Sequence, residues 1–218
     1  MLDFHTHTLL SDGALLPAEH IQRATGHGYL AVGITDHVDS GTLEPVLRKL
    51  LKVCADVSPY VAVQPIPGVE ITHVPPEILP DLAERARQLG AQLVVAHGET
   101  VVEPVPAGTN QAALACDVDL LAHPGLITKE DVEAAIERDI FLEITARRGH
   151  SLSNGHLVRM TRDLGAMHLL VINSDAHSHT DFLTPELERI VGLGAGLSEQ
   201  EFGSVLTNKA RLLERIGE

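Results

Sequence analysis

The strongest constraint on this chain is a repeated junction, in which a short apolar run ends in histidine or a carboxylate. The runs Leu2–His5, Leu30–Ile34, Leu93–Ala96, Leu120–Ala122, Phe141–Ile144 and Leu169–Ile172 have strand length, and either Val61–Ile66 or Val69–Ile71 adds one more. Helix-period segments lie between them. Over Leu43–Cys54, the residues Val46, Leu47, Leu50, Leu51 and Cys54 form one apolar stripe, and over Asp81–Leu89 the spacing of Leu82, Ala86 and Leu89 is helical, with Gly90 as a stop. Thr128, ahead of Glu130 and Asp131, reads as an N-cap. Ser153 and Ser198 open two later helices, the first ending near Gly165. Strand–helix alternation implies parallel strands joined by right-handed crossovers. About seven such units in a single domain over residues 1–218 favour an α/β barrel, closed or nearly so, over an open sheet.

In such a barrel the reactive groups collect at the C-terminal ends of the strands. The expected ends here read His5-Thr-His7, Asp36-His37, Gly68-Val-Glu70, Ala96-His97, Ala122-His123, Leu142-Glu143 and Asp175-Ala-His177. A single histidine at a strand end is more often a core residue, but so many in register point to a site. Imidazole and carboxylate suit zinc, manganese or iron, whereas a closed structural zinc site would use thiolates. In extended chain, i and i+2 side chains share a side, so His5 with His7, and Asp175 with His177, can act together. A glutamate such as Glu70 has two oxygens and can bridge neighbouring ions.

Composition narrows the function. The formal charge is −14 and aromatic residues make up 3% of the chain. Both disfavour a nucleic-acid partner, which calls for clustered cations and stacking rings. Bound cations would offset the charge locally, so an anionic small molecule remains compatible. Cys54 and Cys116 lie in apolar, helix-like stretches and read as buried, reduced thiols. No signal segment and no membrane-length apolar run is visible, so a cytoplasmic protein without a membrane partner is expected.

The motifs together resemble the polymerase and histidinol phosphatase (PHP) superfamily of metal-dependent phosphoesterases. They run from Asp3-Phe-His5-Thr-His7-Thr and Ser11-Asp12-Gly13, through Gly33-Ile-Thr-Asp36-His37, Gly68-Val-Glu70, Ala96-His97 and Ala122-His123-Pro124, to Asn173-Ser-Asp175-Ala-His177. The resemblance implies a distorted, TIM-like (β/α)7 barrel with three divalent ions, zinc, manganese or iron. It assigns one ion to His5, His7, Glu70 and Asp175, a second to Glu70, His97 and His123, and a third to Asp12, His37 and His177. Some family members carry histidine where this chain has Asp12. The implied reaction is attack of a metal-bridging hydroxide on phosphorus in a small phosphorylated metabolite, such as histidinol phosphate, a sugar phosphate or a nucleotide. His177 or His37 would help to protonate the leaving oxygen. A PHP-type 3'-5' exonuclease and a non-catalytic metal-binding module are the alternatives.

Beyond the ligands, Arg147 and Arg148 follow the sixth strand in a chain with only 16 Lys and Arg, and are candidates to clamp a phosphate. Glu143 is expected to orient a ligand histidine or an arginine, or to touch substrate, and Asp36 to support nearby backbone. Glu99 is placed where it could reach the rim, and His73 and His179 flank ligand motifs. His20, His27 and His168 are expected at the surface. The Pro-rich stretches Val74–Pro80 and Val101–Thr109 read as loops, the second a candidate lid.

Overall fold

The computed structural model describes residues 1–217. Among them the strands are β1 (Leu2–Asp3), β2 (Ala31–Ile34), β3 (His37–Val38), β4 (Gln64–Ile71), β5 (Leu93–His97), β6 (Leu120–Ala122), β7 (Phe141–Thr145) and β8 (Leu170–Asn173). The helices are α1 (Pro17–Gly26), α2 (Leu43–Val57), α3 (Leu79–Gln88), α4 (Thr109–Leu114), α5 (Lys129–Arg138), α6 (Asn154–Asp163), α7 (Pro185–Gly194) and α8 (Glu199–Ile216). Neighbours run parallel in the order β1-β2-β4-β5-β6-β7-β8, a nearly closed barrel of seven strands flanked by helices. The expected barrel is therefore present.

The alternatives Val61–Ile66 and Val69–Ile71 resolve into one strand, β4. Its first half pairs with β2 (Ile34 opposite Pro67), and its second half pairs with β3 (His37 opposite Glu70) and β5. Prolines inside a central strand need explaining, because each lacks a ladder donor. The Pro67 carbonyl accepts from Gln92 N (3.0 Å), so the nitrogens of Pro65 and Pro67 face the β5 side. There β5 begins only opposite Gly68, and no ladder bond is lost.

Strand alternation builds the interior in layers. Phe4, Ala31, Ile66, Leu93, Val95, Leu120, Ala122, Phe141 and Val171 fill the barrel, and Leu212 of α8 packs with them. Two residues beyond Ile66 and Gly68, β4 delivers Glu70. Two beyond Leu93 and Val95, β5 delivers His97, and two beyond Phe141, β7 delivers Glu143. The same period that packs the barrel thus raises donors to its rim. The outer faces of the strands pack against the helices through a larger cluster that includes Ile34, Leu47, Leu50, Val69, Leu142 and Ile172.

Between β8 and β1 the ladder gives way to side chains. Phe4 N donates to Asn173 Oδ1 (3.0 Å) and Ser174 N to Asp3 Oδ1 (3.2 Å). A single parallel bridge joins Thr6 to Ala176, with His7 N donating to Ala176 O at 2.8 Å. The first and last motifs of the chain meet across this seam.

The helix caps follow the sequence. Thr128 and Ser198 each form a capping box, with Asp131 and Glu201 at the third position. Ser153 precedes α6 but its side chain caps nothing; it donates to His150 O instead. Cys54 and Cys116 are buried and unpaired, and burial raises their thiols to about 12 and about 11. Among the described residues, no helix is long and apolar enough to cross a membrane.

His27 and His168 are exposed as expected, but His20 is not. It lies on the inner face of α1, 1% exposed, with its ring 4.8 Å from that of Phe182 and neither nitrogen bonded. The inward phase of α1, shared with Ile21 and Ala24, overrides the polarity of the residue. Burial lowers its pKa from 6.5 to about 4. The folded state therefore prefers the neutral ring, and the unfolded chain binds the extra proton. Stability is expected to be intact above pH 6.5, to fall by about 3 kcal/mol as pH drops toward 4, and to lose nothing further from this group below that. Urea denaturation of His20→Leu and wild type at pH 7.5 and 4.5 checks this: the variant should lose about that much less on acidification.

Candidate metal centre

Specific neighbours position the segments that carry the rim side chains. Thr6, in the bridge to Ala176, sets His5 and His7 beside Asp175 and His177, and its hydroxyl donates to Gly33 O at 2.6 Å. Asp36 takes no part as a donor to the centre. Its carboxylate accepts from Thr8 N (2.8 Å), Thr8 Oγ1 (2.7 Å), Ser11 N (3.1 Å) and Ser11 Oγ (2.7 Å). It therefore fixes the loop that carries His7 and Asp12, which is the supporting role the sequence suggested. Gly98 and Gly125 allow the His97 and His123 loops to pass closely, since a Cβ on either would collide with a carbonyl, that of Ala122 or of Glu99.

Glu143 sits beneath the rim, fully buried. It faces His5 Nδ1 at 3.0 Å and 3.1 Å and accepts from His123 N at 3.1 Å. That contact puts a proton on His5 Nδ1 and turns Nε2 to the rim, where it can donate a lone pair to a cation that displaces its own proton. In the same way His97 Nδ1 faces Gly98 O (3.1 Å) and His177 Nδ1 faces Asp175 O (3.0 Å), so each presents Nε2 outward.

The free donors converge. His5 Nε2 lies 3.3 Å from Glu70 Oε2, and His7 Nε2 lies 3.2 Å from Asp175 Oδ1. His123 Nε2 is 3.6 Å from Glu70 Oε1, His177 Nε2 is 3.2 Å from Asp12 Oδ2, and His37 Nε2 is 3.6 Å from Asp12 Oδ1. Two ligands at about 2.1 Å from one ion and roughly a right or tetrahedral angle apart lie about 3.0–3.4 Å from each other. Among the described residues, five groups of mutually close donors could each hold an ion, one that includes His73 and Glu103 and four built from the motif residues: His5, His7 and Glu70; His5, His123 and Asp175; Glu70, His97 and His123; and His7, Asp12, His37 and His177. Glu70 belongs to two of them. His5 Nε2, both nitrogens of His7, and Glu70 Oε1 are buried without a hydrogen-bond partner. Leaving so many polar atoms unsatisfied in a closed core is costly unless something binds them. The donor set fits divalent cations.

The electrostatics agree. Burial opposes the charge on His5, yet Glu143, Glu70 and Asp175 hold its pKa well above 6.5. Burial, reinforced by neighbouring imidazoles, holds His7 and His123 well below it. Glu70 lies well below the usual carboxylate range, against burial, because His5, His37 and His97 surround it. Asp175 is raised to about 7 by burial, opposed by His5 and reinforced by Glu70 and Glu143. Among the described residues, no Lys or Arg pairs with Glu70, Glu143 or Asp175, so protons or metal cations must neutralise them.

Around the centre, Arg147 and the exposed Arg148 line a cavity of about 580 Å³ together with Ser174, Thr180 and Asp181. Arg147 Nη1 stands 3.7 Å from Asp181 Oδ2, and the same oxygen accepts from His177 N (3.2 Å) and Ser178 N (2.8 Å). His179 is exposed. Glu99 does not reach the rim: it accepts from Gly108 N (2.9 Å) and Asn110 N (3.0 Å) and so closes the Val101–Thr109 loop onto α4. A residue that sequence reasoning missed sits in that loop. Glu103 lies 3.1 Å from His73 Nε2, 3.1 Å from His97 Nε2 and 3.4 Å from His150 Nε2. Nothing in the local pattern of a Pro-rich loop marks it, because the loop path alone carries it to the rim.

Comparison with known proteins gives the same picture. The model of the PHP domain family matches residues 3–115. The uncharacterized protein MJ1295 of Methanocaldococcus jannaschii is 45% identical over 217 residues, covering 98% of this chain and 99% of that protein. Among solved structures, hisK of Listeria monocytogenes, described as a candidate histidinol phosphatase, superposes with a TM-score of 0.57 at 12% identity, over 83% of this chain and 97% of that one. An amidohydrolase superposes with a TM-score of 0.61 at 12% identity, over 99% of this chain and 74% of that one. At such identities the superpositions speak for the barrel alone. A family match over more than half of the sequence, a full-length relative and a barrel rimmed by the family's motifs together place this chain in the PHP domain family.

Proposed function

We propose that the protein is a metal-dependent phosphoesterase that hydrolyses a small phosphate monoester. The observation that carries this reading is the sharing of Glu70 between two donor groups, in a rim whose Asp175 adjoins Ser174 of a cavity lined by Arg147 and Arg148. His5, His7, Glu70 and Asp175 would hold one ion, Glu70, His97 and His123 a second, and Asp12, His37 and His177 a third. Such ions supply Lewis acidity toward phosphoryl oxygens and lower the pKa of bound water toward neutrality.

The chain's own residues do the rest. Glu143 fixes the His5 tautomer, and Asp36 fixes the loop from His7 to Asp12. Arg147, loosely paired with Asp181, turns its planar fork to the substrate phosphate, and Arg148 adds charge at the cavity mouth. His37 and His177 border the half-open edge at Asp12, where the leaving oxygen takes its proton. A cavity of about 580 Å³ suits a metabolite.

The test is a hydrolysis screen of protein loaded with manganese, zinc or iron against histidinol phosphate, sugar phosphates and nucleotides. Phosphate release that chelation abolishes is expected, and the absence of turnover on every monoester would overturn the proposal. With an active substrate, Arg147→Ala should raise KM by roughly 10- to 100-fold, the worth of a charge-assisted hydrogen bond, with an unchanged circular dichroism spectrum.

A further inference from the structure

The mechanism leaves two members of one donor group unused. His73, His97 and Glu103 each offer a ligand atom within 4.8 Å of the others, and of the three only His97 is among the nine residues assigned by family motif. Glu103 Oε2 stands 3.1 Å from each imidazole nitrogen, the separation of two ligands on one ion. Its other oxygen faces His150 Nε2 at 3.4 Å, and His150 Nδ1 is tied to Thr100 Oγ1 at 2.7 Å.

The backbone marks His73 independently. Among the described residues, four non-glycine residues adopt positive φ: His73 (54°), His123 (28°), Asp139 (52°) and Asp175 (52°). Asp139 is the C-cap of α5, and His123 and Asp175 are donors of the candidate centre. Such strain persists where the surrounding structure requires it and gathers at functional sites. In His73 it sits two residues past the end of β4, on the same rim.

The two positions differ in access. The side chains of His73 and Glu103 are 40% and 37% exposed, whereas those of His5, His7 and Glu70 are fully buried and that of His123 is 2% exposed. His97 belongs to both groups, yet its Nδ1 is committed to Gly98 O, so its single lone pair on Nε2 can hold one ion at a time.

We propose that His73 and Glu103, with His97 as the shared donor, form an outer divalent-cation position through which metal enters the buried centre. The ion first meets an exposed imidazole and a carboxylate while it keeps part of its water. It then passes to Glu70 and His123 as His97 changes partner. The inference rests on reading Glu70, His97 and His123 as metal ligands.

The experiment is stopped-flow uptake of cobalt(II) by metal-free full-length protein, followed by its visible absorption, with release timed by an added chelator. The variants are Glu103→Gln, which keeps the side-chain shape, and His73→Gly, which accepts the positive φ. Each should slow uptake about tenfold, the usual worth of a steering charge or ligand at a site mouth. Release should slow by the same factor, with final stoichiometry and equilibrium affinity unchanged, because a station on the path changes both rates equally. Unchanged uptake would overturn the proposal, and so would weakened affinity with normal uptake, which would make Glu103 a resident ligand instead. Wild-type protein that binds no cobalt at all would remove the reading beneath it as well, so the two failures are distinct.

Discussion

Replacing Glu70 with glutamine should remove more than one metal ion and reduce turnover by roughly 10³-fold, several kcal/mol of lost charge stabilisation. The size of the effect follows from position. Glu70 is fully buried on β4, belongs to both the His5–His7 and the His97–His123 donor groups, and lies 2.7 Å from His37 Nδ1. An amide of the same shape offers one weaker oxygen and a donor that clashes with ligand nitrogens. Metal content by mass spectrometry, measured beside phosphate release, checks this. A variant that keeps the wild-type metal count and rate would show that the two groups are not joined through Glu70. Asp12 makes a useful contrast, because it is 55% exposed and belongs only to the group with His7, His37 and His177. Its loss should cost at most one ion.

The second large effect is on stability and lies away from the rim. Lys209 of α8 and Glu188 of α7 form an ion pair with side-chain exposures of only 2% and 5%. Lys209 also restrains the pKa of Asp3, which burial raises to about 6 against that pull. Lys209→Met should therefore destabilise the protein by about 3–5 kcal/mol, since it leaves Glu188 buried without a counter-charge. For a chain of this size, that corresponds to a melting temperature lower by roughly 10 °C. The double variant Lys209→Met/Glu188→Leu should recover most of the loss, because removing both charges removes the desolvation cost with them. Urea denaturation of the metal-free proteins separates this effect from metal binding. If the single variant unfolds at the wild-type urea midpoint, the pair is not structural. Neighbouring contacts make α8 a sensitive element: Asn208 Nδ2 donates to Leu170 O at 2.8 Å, and Arg211 and Arg215 lie over the Phe141 ring at 4.7 Å and 4.8 Å.

Much of the barrel was legible because strand period and burial are local properties. Runs such as Leu93–Ala96 are apolar on both faces, which is the mark of a parallel strand covered by helices. Strand ends were less legible. β1 stops at Asp3, and His5 and His7 are positioned by a seam of side-chain bonds and one bridge, not by a ladder. Pro65 and Pro67 hid the continuity of β4, because only the late start of β5 makes them harmless. His20 looked like a surface residue because the identity of a side chain says nothing about the phase of its helix against the barrel.

The candidate centre divides in the same way. From the sequence alone came the kinds of donor, their place at strand ends, and the pairing of i with i+2 that sets His5 beside His7. Those follow from backbone geometry, which acts over a few residues. The sharing of Glu70 was expected from the family resemblance, whereas the turning of Glu143 to both His5 and His123, and the arrival of Glu103 at His73, His97 and His150, needed the closed barrel. Most of these partners lie tens of residues apart, and even His97 and Glu103 meet only through the path of their loop, which no local pattern encodes.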